Sequence, residues 1–124
     1  MWNKVQRGFS FADGELAWGS FPTALKIFDY ARGNESGFAP KSLDTDKKFC
    51  NIHPTQKPVA LYKWLLDKYA KAGDKILDTH LGSGSIAIAC HDYKYHLTAC
   101  ELDSDYFAAM QTRVENHLKQ SILF

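Results

Sequence analysis

The second half of the chain constrains the fold most, because a strand, a glycine-bearing turn, a helix and a second strand follow one another there. Short apolar runs bounded by turn residues are typical of strands, whereas a longer run that is apolar nearly all round is typical of a helix packed on a sheet. We predict a buried strand at residues 75–79, a turn at 80–84, a helix at 85–93 and a strand at 96–101. Strands that alternate with a helix favour parallel pairing, so the expected fold class is α/β.

Two further helices flank this segment. Apolar residues at helical spacing predict a helix over residues 58–70, with Thr55 as a candidate cap and Gly73 after its end. A second amphipathic pattern predicts a helix over residues 104–118. Ser104 is its expected cap, and Asp105 lies in the first turn, where the helix dipole favours negative charge.

The N-terminal part of the chain has a different pattern. Residues 1–12 show no clear period, and two stretches rich in aromatic and β-branched residues follow at 15–21 and 24–31. Because Pro22 and Thr23 separate these stretches at a turn, we predict a β-hairpin. Residues 32–50 form a polar loop. The expected organisation is one partial domain with a hairpin region at 1–31, a loop at 32–50 and a βαβ part at 51–124.

Length and composition exclude several classes of protein. The 124 residues suffice for one modest domain, and 15 basic against 14 acidic residues give a net charge of +1, which provides no global field for a nucleic acid. A nucleic-acid contact would need a local cluster, and Lys4 and Arg7 near Trp2, Phe9 and Phe11 are a candidate. The sequence has no bilayer-length apolar run and no signal-like start, so we expect a cytoplasmic chain without membrane contact.

The cysteines and histidines do not form a recognisable framework. Three cysteines are an odd number without CxxC spacing, so we expect reduced thiols. The spacing fits no zinc pattern, and we predict no metal site from the candidate ligands Cys90, His91, His96 and Cys100.

The glycine-bearing turn is the sharpest chemical feature. Without side chains, Gly82 and Gly84 let the backbone approach a ligand closely, and the following helix offers free amide groups at its positive end. Glu101 follows Gly82 by nineteen residues at the end of the next strand, where a carboxylate can accept hydrogen bonds from two ribose hydroxyls. This pairing indicates either a site for a nucleoside-containing ligand or an ordinary βαβ turn with a solvated glutamate.

Two ligands remain open at this point. Gly82, Gly84 and Ala87 also satisfy the G-x-G-x-x-A pattern of dinucleotide sites, which would indicate NAD. Against NAD, the carboxylate of Asp78 would repel a pyrophosphate, whereas it would attract the ammonium group of an amino acid.

Three stretches resemble a known family. They read His-Pro-Thr-Gln-Lys-Pro at 53–58, Asp-Thr-His-Leu-Gly-Ser-Gly-Ser at 78–85, and Ala-Cys-Glu-Leu-Asp at 99–103 continuing to Tyr106. They look like the tenth, first and second motifs of the S-adenosylmethionine-dependent DNA amino-methyltransferases, in particular the adenine-N6 enzymes of bacteria and phages. The motif order is that of the subgroup whose catalytic motif lies toward the N-terminus, and the match covers about residues 51–118.

The resemblance implies S-adenosylmethionine as the cofactor. The implied cofactor-binding residues are Thr55, Lys57, Asp78, Gly82, Ser83, Gly84 and Glu101. The first two would contact the methionine end, the aspartate would face the amino group, the turn would form the floor of the pocket and the glutamate would bind the ribose. The chain has Thr79 and His80 where the family usually has Pro-Phe, which would loosen packing near the methyl group.

The family's catalytic Asp-Pro-Pro-Tyr type of segment is missing from the sequence. In the family this segment holds the target amine and stacks on the flipped-out base. The four prolines, at positions 22, 40, 54 and 58, are never adjacent, so we predict no catalytic residue in this chain. The resemblance implies a partial Rossmann-like methyltransferase fold without its central catalytic strands.

The resemblance also implies partners. DNA would bind through the complete enzyme, and the incomplete sheet predicts self-association or a separate N-terminal methyltransferase chain that supplies the catalytic segment. The alternatives are a noncatalytic remnant or accessory protein-binding subunit, and an NAD-like nucleotide-binding module.

Overall fold

A computed structural model describes residues 1–8, 10, 12–31, 52–53 and 55–121. The chain divides into two compact units, Met1–Lys48 and Phe49–Phe124. The predicted loop at 32–50 lies outside the described residues, as do Phe9 and Phe11 of the candidate nucleic-acid cluster.

The first unit contains a small three-stranded sheet. Its strands are β1 (Trp2–Asn3), β2 (Gly14–Glu15) and β3 (Phe28–Asp29), and β1 is the central one. β1 pairs antiparallel with β2 and parallel with β3. The indole Nε1–H of Trp2 donates to the carbonyl of Tyr30 at 2.8 Å, which fixes the buried ring beside the sheet.

The predicted hairpin between residues 15–21 and 24–31 is wrong. Glu15 of the first stretch and Phe28–Asp29 of the second belong to the sheet, but each pairs with β1 and not with the other. The residues between the two strands have high β-propensity but are not buried. Leu16 is 80% exposed and Trp18 is 93% exposed. The central strand was missed because two residues carry no periodicity.

The prediction that Trp2 and Lys4 belong to a nucleic-acid contact is also wrong. Trp2 is buried, and Lys4 is buried too, with its Nζ 2.9 Å from Oε1 of Glu15 and 5.4 Å from the Trp2 ring centroid. These side chains stabilise the small sheet and present no surface to a base or a phosphate.

The second unit alternates helices and strands as predicted. In chain order its elements are α1 (Val59–Tyr69), β4 (Lys75–Asp78), α2 (Ser85–Tyr93), β5 (His96–Ala99) and α3 (Ser104–Ser121). β4 and β5 pair in parallel, with Lys75 opposite His96 and Asp78 opposite Ala99. The α/β class is therefore confirmed. No helix in the described part of the chain has the length and apolar character needed to span a membrane.

The core of this unit lies around α2. Its buried apolar residues are Leu66, Leu81, Ile86, Ala89, Cys90 and Met110. Burial raises the pKa of the Cys90 thiol, and the nearby charge of Asp78 raises it further, which favours the protonated, unreactive form. Cys90 and Cys100 are free thiols, and Cys50 lies outside the described residues.

Within the described residues of the second unit, one face of the β4–β5 sheet packs on the core and the other face is exposed. Ile76, Leu97 and Ala99 pack against the core, whereas Leu77 points to the opposite face and is 67% exposed. The prediction of a buried strand at 75–79 is therefore wrong for Leu77, because strand side chains alternate between the two faces.

Two predicted helix caps are also corrected. Pro58 occupies the N-cap position of α1, and the Oγ1 of Thr55 lies 3.0 Å from Nδ1 of His53. In α3 the capping side chain is Asp103, whose Oδ1 accepts the amide N–H groups of Asp105 and Tyr106. Ser104 is the first helical residue, so the cap lies one position earlier than the pattern indicated.

Candidate functional site

The turn between β4 and α2 depends on glycine for two reasons. Gly82 and Gly84 have φ angles of 54° and 74°, in the left-handed region that side chains disfavour. A Cβ added at Gly84 would lie 2.5 Å from Cγ of Met110. Gly84 therefore allows α3 to pack closely against the start of α2.

Arg113 of α3 holds this turn from the side. Its Nη1 donates to the carbonyl of Ser83 at 2.8 Å and to Oγ of Ser85 at 2.9 Å. The Ser85 hydroxyl in turn donates to the carbonyl of Lys57 at 2.7 Å. The loop before α1, the glycine turn and α3 are thus joined by one chain of hydrogen bonds. Sequence reasoning missed Arg113, because an arginine on a helix about thirty residues away gives no local signal.

Glu101 meets the glycine turn directly. Its Oε2 accepts the amide N–H of Gly82 at 2.7 Å, and its Oε1 accepts the amide N–H of Asp103 at 3.0 Å. These hydrogen bonds, led by that from Asp103, lower the pKa of Glu101, so the carboxylate stays ionised at neutral pH. The structure brings together the two features that the sequence paired across nineteen residues.

A cavity of about 420 Å³ lies beside the turn. Of the predicted cofactor-binding residues, five line it, namely Thr55, Lys57, Gly82, Ser83 and Glu101. The structure places the other two beside the cavity wall and not in it. Asp78 ends β4, where its Oδ1 accepts the amide N–H of His80, and Gly84 packs against Met110.

Sequence reasoning did not assign a role to the remaining residues of the lining. These are His53, Gln56, Tyr62, His80, Leu81 and Ser85. His53 and Gln56 belong to the 53–58 stretch, so the motif could have pointed to them. The His53 ring packs on Tyr106 with a centroid distance of 4.5 Å, and its Nδ1 lies 3.3 Å from the amide nitrogen of Thr55. The ring thus fixes the loop that forms one wall.

The lining combines groups with different recognition chemistry. The ammonium of Lys57 donates to the carbonyl of Thr55 at 3.1 Å, and the Glu101 carboxylate lies at the turn. A cavity of this volume is within the range of small-molecule sites, where a few polar groups fix the ligand's orientation. The arrangement suits a polar ligand that carries both hydroxyl and charged groups.

Comparison with known proteins gives a consistent result. A family model described as DNA methylase, that of the N6/N4 methyltransferases, matches residues 15–112. The chain is 30% identical over 72 residues to a type II methyltransferase, M.HpaI, from Haemophilus parainfluenzae. That alignment covers 55% of this chain and 23% of the relative, so the chain spans about a quarter of the relative's length. No solved structure matches the chain.

Proposed function

The chain belongs to the N6/N4 DNA methylase family, and we propose that it is the S-adenosylmethionine-binding portion of such an enzyme. The observation that carries the proposal is the contact between Glu101 and Gly82 at the cavity, with a donor–acceptor distance of 2.7 Å. An ionised carboxylate beside a glycine turn is suited to accept hydrogen bonds from the two ribose hydroxyls of a nucleoside.

The other cavity residues support a zwitterionic ligand. Lys57 and Thr55 line the cavity and offer a cation and a hydroxyl to the methionine carboxylate. We assign Asp78 to the methionine ammonium, because its carboxylate ends β4 next to His80 of the lining. The same negative charge disfavours the pyrophosphate of NAD.

The proposed reaction is methyl transfer to the exocyclic amine of a DNA base, adenine N6 in particular, as part of a restriction-modification system. S-adenosylmethionine supplies an electrophilic methyl group when bound. The residues of this chain bind the cofactor and orient it, and orientation lowers the barrier to transfer. The acceptor site needs an Asp-Pro-Pro-Tyr type of segment, which the 124 residues do not contain, so we propose that a segment outside them supplies it.

The β4–β5 sheet has only two strands in the part of the chain that the structure describes, and one of its faces is exposed, which supports completion by a further part of the enzyme. Parallel sheets of α/β proteins are normally covered on both faces, yet Leu77 is 67% exposed on β4. The relative M.HpaI is more than four times as long as the stretch it shares with this chain, since that stretch covers 23% of it. We propose that the catalytic part of the methyltransferase pairs beside β4 and completes a Rossmann-like fold, and that the chain self-associates without it.

Calorimetric titration of the whole chain tests cofactor binding. S-adenosylmethionine and its demethylated product are titrated, with NAD as the competing ligand. We expect Glu101→Ala to weaken binding of the product at least about tenfold, because hydrogen bonds to a charged acceptor are lost. The matched control is Glu115→Ala, which removes an exposed carboxylate on α3 that does not line the cavity. Tighter binding of NAD, or unchanged affinity in Glu101→Ala, would refute the proposal.

Light scattering tests the incomplete sheet. The wild-type chain should form oligomers whose mass increases with concentration, and Leu77→Lys should shift it toward the monomer by placing a charge on the open face. Leu102→Lys is the matched control, because Leu102 is fully exposed in the loop after β5. A wild-type chain that stays monomeric throughout would contradict this part of the proposal.

A further inference from the structure

A second polar cluster lies where the last turn of α2 approaches α3. It consists of His91 and Asp92 of α2 and His117 of α3, and none of the three lines the cavity. No sequence pattern groups them, because His117 follows Asp92 by twenty-five residues. Neither Asp92 nor His117 was among the ligands considered from sequence spacing.

The geometry points to a divalent transition-metal site formed by Nδ1 of His91, Oδ1 of Asp92 and Nε2 of His117, and we propose that this cluster binds Zn²⁺ or a similar ion. Oδ1 lies 3.3 Å from the His91 nitrogen and 2.7 Å from the His117 nitrogen. All three ligand atoms lie within 4.8 Å of one another. The ligands of a four-coordinate zinc ion lie about 2.0–2.2 Å from the metal and hence about 3.3–3.6 Å apart, so only small side-chain rotations are needed.

The donor types fit this class of ion. Two imidazole nitrogens and one carboxylate oxygen suit Zn²⁺, Co²⁺, Ni²⁺ and Cu²⁺, whereas Mg²⁺ and Ca²⁺ prefer oxygen ligands. The side chains of His91, Asp92 and His117 are 45%, 20% and 30% exposed. An ion can therefore enter from solvent, and water can complete its coordination.

Lys63 of α1 orients the carboxylate and leaves one oxygen for the ion. Its Nζ lies 2.6 Å from Oδ2 of Asp92, so Oδ1 faces the two histidines. This ion pair holds the carboxylate in place, as is usual for metal ligands with an outer partner.

The position of the cluster gives the ion a structural role. It would link the end of α2 to α3 one helical turn after Arg113, which holds the glycine turn through Ser83 and Ser85. A bound ion stabilises the folded unit by a free energy that increases with the logarithm of the ion concentration relative to its Kd. The inference does not depend on S-adenosylmethionine binding.

The test is a Co²⁺ titration of the full chain, followed by visible absorption, with Zn²⁺ as the displacing ion. The titration uses the Cys50→Ser, Cys100→Ser background, so that two thiols cannot supply the ligands. We expect one ion per chain, and an affinity at least about tenfold lower in His117→Gln and in His91→Gln. His96→Gln is the matched control, because His96 is an exposed histidine on β5 outside the cluster.

Thermal unfolding provides the second readout. Saturating Zn²⁺ should raise the unfolding temperature by about 4 °C or more in the background chain and by much less in the two variants. If His117→Gln does not fold when a chelator removes the metal, the result for His91→Gln, at the more exposed position, tests the proposal. The absence of one-to-one binding up to about 1 mM ion, or binding that is unchanged in His91→Gln, would overturn the proposal.

Discussion

The two units of the chain differ in what holds their strands in place. In the first unit, strands of two residues join positions distant in sequence, such as Trp2 and Phe28, and many large apolar side chains remain exposed. In the second unit, residues 85–90 of α2 are largely buried and the neighbouring elements pack on them. In a unit of this size, a buried helix provides the core on which the strands pack, whereas β-propensity alone provides none.

Core truncation should reveal this contrast most strongly. Leu66 is 5% exposed in the core of the second unit, so Leu66→Ala should lower the free energy of unfolding by about 2–5 kcal/mol. Leu16 is 80% exposed in the first unit, and Leu16→Ala should change it by less than about 0.5 kcal/mol. Urea unfolding followed by circular dichroism measures both. Equal losses would show that the first unit buries Leu16 as fully as the second unit buries Leu66.

The glycine turn should show the next largest effect. Gly84 has a positive φ, and an added Cβ would also clash with Met110. Gly84→Ala should therefore lower the free energy of unfolding by about 2–4 kcal/mol. Gly73 has a φ of 89° with nothing within 4 Å of the added Cβ, so Gly73→Ala should cost only about 1–2 kcal/mol. The difference between the two variants isolates the contact with α3. Identical losses in thermal unfolding would mean that α3 does not pack on the turn.

The first unit depends on the ion pair between Lys4 and Glu15. Lys4 is 8% exposed and Glu15 is 37% exposed, so Glu15→Gln should destabilise this unit by about 1 kcal/mol. Exchange of the Trp2 indole proton, which is bonded to Tyr30, should become about fivefold faster. Asp13→Asn is the control, because Asp13 pairs with Arg7 at 3.9 Å with both side chains exposed. An equal rise in the exchange rate of the Trp2 indole proton in both variants would show that the ion pair of the buried Lys4 has no special role.

The pH dependence of the second unit should carry a small contribution from Glu101. Its pKa is lowered in the folded state from an ordinary value of 4.5, so the folded protein binds fewer protons than the unfolded chain just below that pH. The contribution is present above about pH 4.5 and is lost as pH falls through the folded pKa. The unfolding temperature of Glu101→Gln should therefore fall less steeply on acidification than that of the wild type. Parallel curves would show that the hydrogen bonds from Gly82 and Asp103 do not stabilise the carboxylate.

The sequence was most informative where structure is local. The predicted helix at 85–93 agrees with α2 at both ends, because a continuous apolar run and the flanking Gly84 define it without reference to distant residues. The parallel pairing of β4 with β5 follows from the intervening helix. The pairing of Glu101 with the glycine turn was likewise accessible, since parallel strands end at the same edge of a sheet.

Features set by tertiary contacts were not accessible from the sequence. Arg113 reaches the turn from α3, and Met110 makes glycine necessary at position 84, yet neither leaves a pattern near the turn. The pairing of both later strands with β1 escaped prediction for the same reason, because a two-residue strand has no period. The cluster around Asp92 joins three helices and is visible only in three dimensions.

We propose that the cofactor binds at the glycine turn of the second unit, and nitrogen-15 NMR of the whole chain with S-adenosylhomocysteine is the decisive test. The amide signals of Gly82 and Ser83 should move on titration, while the indole signal of Trp2 in the first unit should stay in place. In Glu101→Ala the same shifts should require at least about tenfold more ligand. Shifts confined to the first unit, or no shifts in a folded chain, would show that the cofactor does not bind at the glycine turn.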